Sequence, residues 1–79
     1  MADYAVKIVQ RSDGLFVATF PDIPDVFAYG RDRDEALEEA SKTLEATIRR
    51  RLLKGEDVPE PRSEGDLRVQ QDILGAVLA

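Results

Sequence analysis

The sequence predicts an α+β fold: a small antiparallel sheet, in the order β-β-β-α-β, with one long helix packed on one face. Three observations predict it. Apolar residues alternate near the N-terminus, an Asp-Gly pair separates two strand-like runs, and a long segment has apolar residues at helical spacing. We expect the 79 residues to form a single domain. Residues 1–30 would form a three-stranded meander, residues 31–55 the helix, and residues 56–79 a proline connector and a last strand.

The first strand is expected over residues 4–9, because Tyr4, Val6 and Ile8 alternate with the residues of the opposite face. The turn after it is marked by Asp13-Gly14, since glycine accepts the positive φ that a tight hairpin turn requires. The first two strands are therefore predicted to be antiparallel neighbours.

The second strand, residues 15–20, is apolar at nearly every position, so both of its faces are expected to be covered. Pro21 and Pro24 follow, and proline removes a hydrogen-bond donor and stiffens the chain. This segment should end the second strand and lead into a third, short strand over residues 26–29, which Gly30 closes.

A long helix is predicted over residues 33–54. Its apolar stripe, which should lie across the sheet, consists of Leu37, Ala40, Leu44, Ile48 and Leu52. Asp32 is a suitable N-cap, and Glu35 completes a capping-box pattern. Gly55 provides the stop.

Beyond the helix the pattern is weaker. Pro59 and Pro61 predict an extended connector. Residues 63–71 have weak helical character, and residues 75–79 are expected to rejoin the sheet edge as the last strand.

The composition excludes several kinds of chemistry. The chain has no Cys and no His, which removes disulfides, thiolate nucleophiles, Cys/His zinc sites and imidazole catalysis. Its 16 acidic and 11 basic residues give a formal net charge of −5, which favours basic partners and disfavours nucleic acid. No apolar run approaches the roughly 18 residues of a membrane span, and the N-terminus lacks the basic start of a signal peptide. We expect a cytoplasmic protein that uses no cofactor and binds no membrane.

Taken together, these features resemble the N-terminal, partial RNase H-like domain of the HicB antitoxin family. The residues that carry the resemblance are Asp13-Gly14, Phe20-Pro21-Asp22-Ile23-Pro24, Gly30, Glu35-Ala36-Leu37 with Ala40, and Pro59-Glu60-Pro61. Each element is common on its own. Their order and spacing are more specific, and the resemblance runs from the first strand through the proline connector.

The resemblance implies a non-catalytic inhibitor. HicB antitoxins bind HicA, a small, basic ribonuclease toxin with a double-stranded-RNA-binding-like fold, and block its access to mRNA. Family members often add a helix-turn-helix or ribbon-helix-helix domain. Only residues 66–79 follow Ser63-Glu64-Gly65 here, so we expect no DNA-binding domain and no direct DNA binding. The family also commonly has Gly-Cys where this chain has Asp25-Val26; Asp tolerates left-handed backbone, so the turn should persist.

Two sets of site residues are predicted. Contacts with the toxin or another partner are assigned to Asp22, Asp25, Tyr29, Asp34 and Glu38, and an oligomer interface is assigned to Leu15, Val17 and Phe27. The acidic members suit a basic toxin, although charge at a helix N-terminus equally serves the helix dipole. A homodimer or tetramer is expected, because so small a domain has a thin core and the second strand has two apolar faces.

Two alternatives stay open. A Mg²⁺-dependent, nuclease-like enzyme would need converging carboxylates, for which the candidates are Asp3, Asp13, Asp22 and Asp25. Positions in turns and bends account for most of them more simply. A stand-alone, self-associating regulator could bind nucleic acid through the three arginines at 49–51, but a solvated helix end is the simpler interpretation in an acidic chain. No catalytic, metal or cofactor residue is assigned.

Overall fold

The computed structural model describes residues 2–65 and 67–71. The described elements are β1 (Ala2–Ala5), β2 (Lys7–Gln10), β3 (Phe16–Thr19), β4 (Phe27–Gly30), α1 (Arg33–Leu53) and β5 (Arg68–Gln71). All pairings are antiparallel, and α1 packs on one face of the sheet formed by β2, β3 and β4. The predicted α+β class is confirmed. Within the described part of the chain, no helix is long and apolar enough to cross a membrane.

The predicted first strand is divided at Val6. β1 pairs with β5, whereas β2 pairs with β3, which in turn pairs with β4. The N–H of Val6 donates to the carbonyl of Leu67 at 3.0 Å. The chain thus changes partners without a loop, and two sheets form where the sequence predicted one.

The predicted Asp-Gly turn joins β2 to β3. Gly14 has a φ of 91°, and the N–H of Arg11 donates to the carbonyl of Leu15 at 2.7 Å. The carboxylate of Asp13 accepts the N–H of Leu15 at 3.1 Å. This turn sets a register in which Val9 lies opposite Val17, and the register decides which side chains share a face.

Two consecutive β-turns join β3 to β4. The N–H of Ile23 donates to the carbonyl of Phe20, and the N–H of Val26 donates to the carbonyl of Ile23, both at 3.1 Å. Pro21 and Pro24 each follow the first residue of a turn, where their fixed φ favours the bend. Phe20, Ile23 and Val26 are at most 2% exposed. We call residues 20–26 the double turn.

Both predicted ends of the helix are confirmed. The carboxylate of Asp32 accepts the N–H of Glu35 at 2.7 Å and caps the first turn. Gly55, with a φ of 72°, closes a Schellman motif with the last turn. The buried helix residues are Ala36, Ala40, Leu44, Thr47 and Ile48, with Leu37 and Leu52 partly buried. The structure thus confirms the predicted stripe and adds Ala36 and Thr47 to it.

The last described strand differs from the prediction. β5 lies within residues 63–71, where weak helical character was predicted, and that prediction is wrong. β5 pairs with β1 so that Val69 lies opposite Tyr4, and this pairing outweighs a weak local preference. The strand predicted over residues 75–79 lies outside the described residues.

Gly30 provides a test of the helix–sheet contact. A Cβ at Gly30 would lie 2.7 Å from the Cα of Ala36 and 2.8 Å from the carbonyl carbon of Glu35, both rigid backbone atoms. We expect Gly30→Ala to lower the free energy of unfolding by about 1–3 kcal/mol, measured by urea denaturation, because the helix must move away. The matched control is Gly65→Ala, whose Cβ would make an ordinary 3.5 Å contact with Ala5. Equal losses in the two variants would contradict this interpretation.

Candidate functional site

The five predicted partner residues lie in three separate places. Asp22 and Asp25 are in the double turn, near the C-terminal end of α1. Asp34 and Glu38 are exposed in the first turns of α1. Tyr29 is on the sheet face opposite the helix. At about 1.5 Å per residue, the two ends of the 21-residue helix α1 are about 30 Å apart, so these residues do not converge on one point.

The face of the three-stranded sheet opposite α1 forms the first candidate surface. We call it the open sheet face, and it consists of Lys7, Val9, Val17, Thr19, Phe27 and Tyr29. Val9, Phe27 and Tyr29 are 57%, 53% and 44% exposed. Val17 lies between Val9 and Tyr29 in one cross-strand row. The structure therefore brings the predicted oligomer residues Val17 and Phe27 together, with Leu15 partly buried just before β3.

Aromatic rings and cations characterise this face. The rings of Phe27 and Tyr29 meet edge to face, with centroids 5.8 Å apart. The guanidinium of Arg11 lies 5.4 Å from the centroid of the Tyr29 ring, a cation–π distance, and also pairs with Asp13 at 3.3 Å. None of the six residues of the face is acidic.

Asp22 fastens the proline connector to the double turn. Its carboxylate accepts the N–H of Arg62 at 3.1 Å, the N–H of Ser63 at 3.0 Å and the hydroxyl of Ser63 at 2.8 Å. The backbone hydrogen bond from Ser63 is the main cause that holds the pKa of the Asp22 carboxyl below its usual value. We call this set the Asp22 clamp. A residue predicted to contact a partner is thus already bonded within the chain.

Two further contacts extend the clamp to the terminal strands. The hydroxyl of Tyr4 donates to the carbonyl of Pro59 at 2.7 Å, and burial raises the pKa of that hydroxyl. Arg68 donates to the carbonyl of Ser63 at 3.3 Å and to that of Asp3 at 2.6 Å. The connector is therefore fixed to both β1 and β5.

Asp25 binds the end of the helix. Its carboxylate pairs with Arg51 at 2.9 Å, and Arg51 also donates to the carbonyl of Asp57. Only glycines among the described residues have a positive φ, so the turn persists at Asp25 without left-handed backbone. Arg49 pairs with Glu45 at 3.1 Å. Two of the three arginines at 49–51 are thus engaged with carboxylates, which weakens the interpretation of this cluster as a phosphate-binding patch.

The second candidate surface is the acidic helix face, which we define as Asp34, Glu38 and Glu39. All three residues are exposed. Lys42 pairs with Glu38 at 3.4 Å and with Glu39 at 3.7 Å. Such exposed pairs contribute about 0–1 kcal/mol each, so a basic partner can replace them at low cost.

The carboxylates required by the nuclease alternative do not converge. Asp3 pairs with Arg68, Asp13 binds its own turn, and Asp22 and Asp25 hold the connector and the helix end. Across residues 2–65 and 67–71, no group of three or more potential metal-ligating side chains lies close enough to hold an ion.

Sequence reasoning did not assign Lys7, Val9 or Arg11 to a site. The alternation in residues 4–9 contained the signal for the first two, because it separates Lys7 and Val9 from the face of Tyr4, Val6 and Ile8. The position of Arg11 over Tyr29 depends on the pairing of three strands, which a local pattern does not reveal.

The described residues thus form an α+β domain with one apolar and one acidic exposed surface. A family model described as the HicB_like antitoxin of bacterial toxin-antitoxin systems matches residues 3–77. The chain therefore belongs to the HicB-like antitoxin family, as the sequence features predicted.

Among solved structures, the chain is similar to the N-terminal domain of the Burkholderia pseudomallei antitoxin HicB. The TM-score is 0.70 at 22% sequence identity, over 78% of this chain and 73% of that one. At this identity the likeness shows a shared fold. Comparison with curated proteins gives no significant match.

The Asp22 clamp predicts a specific pH dependence. Because the folded pKa of Asp22 lies below its ordinary value of 3.8, the clamp stabilises the fold fully above that value and loses this contribution as the pH falls through the folded pKa. Between about pH 7 and about pH 3, the free energy of unfolding, measured by urea denaturation, should fall more for wild type than for Asp22→Asn. Glu64→Gln removes an exposed carboxylate from the same segment. In this control variant the free energy of unfolding should depend on pH as it does in wild type. If the free energy of unfolding depends on pH equally in wild type and in Asp22→Asn, the Asp22 clamp is refuted.

Proposed function

We propose that this chain is the antitoxin of a toxin-antitoxin pair, and that it binds a small, basic HicA-type mRNA interferase. It acts in the cytoplasm as an inhibitor and not as an enzyme. The family match over residues 3–77 carries the proposal. Inhibition is steric: the bound antitoxin covers the surface on which the toxin would hold mRNA.

Charge supports this assignment. A ribonuclease that binds mRNA needs a cationic surface for phosphates, and the antitoxin has a formal net charge of −5. Asp34 and Glu38 on the acidic helix face can take the place of phosphates on such a surface. Complementary charge of this kind mainly accelerates encounter and suppresses wrong partners.

The five predicted partner residues therefore receive different roles in this proposal. Asp34 and Glu38 contact the toxin directly. Asp22 and Asp25 act indirectly, because they shape the double turn and anchor the segments beside it. Tyr29 belongs to the open sheet face, where its charged neighbour is Arg11, which is already paired with Asp13.

Charge reversal on the acidic helix face tests the docking surface. The double variant Asp34→Lys/Glu38→Lys should slow association with a catalytically inactive toxin from the neighbouring reading frame by about tenfold or more at low salt. The matched control is Glu56→Lys/Glu64→Lys, which makes the same charge change at exposed connector positions. Association rates are measured by surface plasmon resonance. Equal rates for the two double variants would remove the helix face from the interface.

Co-expression tests the function itself. The neighbouring reading frame, expressed alone, should arrest growth, and this chain should relieve the arrest and co-purify with its product. A neighbour that is neither toxic nor bound would refute the antitoxin proposal.

A further inference from the structure

The connector, residues 56–65, runs from α1 to β5 without pairing to either sheet. It contains no helix or strand, and no backbone–backbone hydrogen bond joins residues 57–65 to another described residue. Bonds from a few side chains hold it in place instead. A segment without a ladder of backbone bonds opens more readily than one inside a sheet or helix. The connector is therefore a place where the fold can open locally.

Some of these side-chain bonds tie the connector to the two terminal strands. Tyr4 of β1 donates to the carbonyl of Pro59 at 2.7 Å. Arg68 of β5 donates to the carbonyls of Ser63 and Gly65 at 3.3 Å and 3.5 Å. Because β1 and β5 also pair with each other, these bonds unite three segments. We call β1, the connector and β5 together the strap.

The other side-chain bonds fasten the connector to the double turn and the helix. Among the described residues 7–53, two side chains make such bonds. Arg51 donates to the carbonyl of Asp57 at 3.2 Å, next to the end of the helix. Asp22 accepts the N–H groups of Arg62 and Ser63 and the hydroxyl of Ser63, at the far end of the connector. The Asp22 clamp thus holds the part of the strap that lies beyond its start.

The two terminal strands have little hold on the rest of the sheet structure. Among the described strands, β1 and β5 pair with each other and with no third strand. The N–H of Val6 donates to the carbonyl of Leu67 where β1 continues into β2. A two-stranded ribbon is at best marginally stable by itself. If the connector and β5 leave, β1 therefore loses its partner strand as well.

The remainder, residues 7–53, contains what it needs to stay folded, and we call it the core unit. Of the twelve residues in the buried core cluster, nine lie within it, while Tyr4, Val6 and Val69 lie outside. The core unit also contains the hairpin turn, the double turn and the helix cap. Opening of the strap thus removes a minority of the core.

We propose that the strap opens from the core unit as one body while the core unit stays folded, and that the Asp22 clamp keeps it closed. The chain turns at Val6 on one side and at Gly55 on the other. Gly55 has a φ of 72°, and a Cβ there would meet nothing within 4 Å, so the connector has space to move. Opening exposes Tyr4, Val69 and two unpaired strand edges. The clamp sets how often other proteins encounter them.

Native-state hydrogen exchange tests whether the strap opens separately. We expect the amides of β1, β5 and Val6 to exchange as one group, followed by NMR at low urea concentrations. This group should exchange faster than the amides of β3 and the middle of α1, and with a weaker dependence on urea. The reason is that opening of the strap exposes less surface than global unfolding does. A single exchange free energy for all these amides would overturn the proposal.

Two substitutions distinguish a separate strap from one cooperative unit. Asp32→Ala removes the helix cap, which the open form keeps. It should speed exchange in β3 and α1 by about fivefold and leave β1 and β5 unchanged. Asp22→Ala removes the clamp, which only the closed form has. It should speed both groups by the same factor, about fivefold or more. Equal acceleration of both groups by Asp32→Ala, or wild-type exchange of β1 and β5 in Asp22→Ala, would contradict the proposal.

Limited proteolysis measures the same opening independently. The peptide bond between Arg62 and Ser63 is a trypsin site, and its N–H donates to Asp22 at 3.0 Å, so the closed strap protects it. Cleavage at this bond, followed by mass spectrometry, should be about fivefold faster or more in Asp22→Ala and unchanged in Asp32→Ala. Both substitutions are remote in sequence from the cleaved bond, so trypsin meets the same local sequence. Equal cleavage rates in wild type and Asp22→Ala would show that the clamp does not control the strap.

These measurements need no toxin, so the strap and the antitoxin function fail independently. A chain whose strap opens separately but which binds no toxin keeps this proposal and refutes only the antitoxin function. A chain that binds toxin but exchanges all its amides together keeps the antitoxin function and overturns the strap.

Discussion

The close packing of α1 on β3 and β4 determines which surfaces of this domain are buried and which stay exposed. Small residues make that approach possible: Ala18 and Ala28 on the strands, Gly30 at the strand end, and Ala36 and Ala40 on the helix. Larger side chains, including Tyr4 and Phe20, belong to the same buried core. Because one helix covers one face of the sheet, the opposite face stays accessible for association. Both candidate surfaces thus follow from the packing of α1 on one face of the sheet.

The double turn connects this core to the rest of the chain. Phe20, Ile23 and Val26 are buried at every third position, and the aspartate after each proline bonds to another segment of the chain. Asp22 then holds the connector and Asp25 holds the end of the helix. One seven-residue segment therefore supplies core contacts and two anchors. These bonds give a physical reason for the sequence of the double turn, which carries part of the family resemblance.

Features that depend on neighbouring residues could be predicted from the sequence. The cap at Asp32, the stop at Gly55 and the turn at Asp13-Gly14 each involve contacts within five residues. The division of the first strand at Val6 and the position of β5 could not, because they depend on pairing across more than 60 residues. The same limit applies to the site. The sequence indicated acidic and apolar candidates, whereas the internal use of Asp22 appears only once the connector is placed.

The distribution of these contacts along the chain also implies an order of folding. The hairpin of β2 and β3, the double turn and α1 need only residues up to 53, so they can assemble before the connector and β5 join them. The N-terminal strand cannot join them fully at that stage. The hydroxyl of Tyr4 has no acceptor until Pro59 arrives, and β1 has no partner until β5 is made. β1 is therefore among the last elements to be fixed in place, because its partner strand lies more than 60 residues further along the chain.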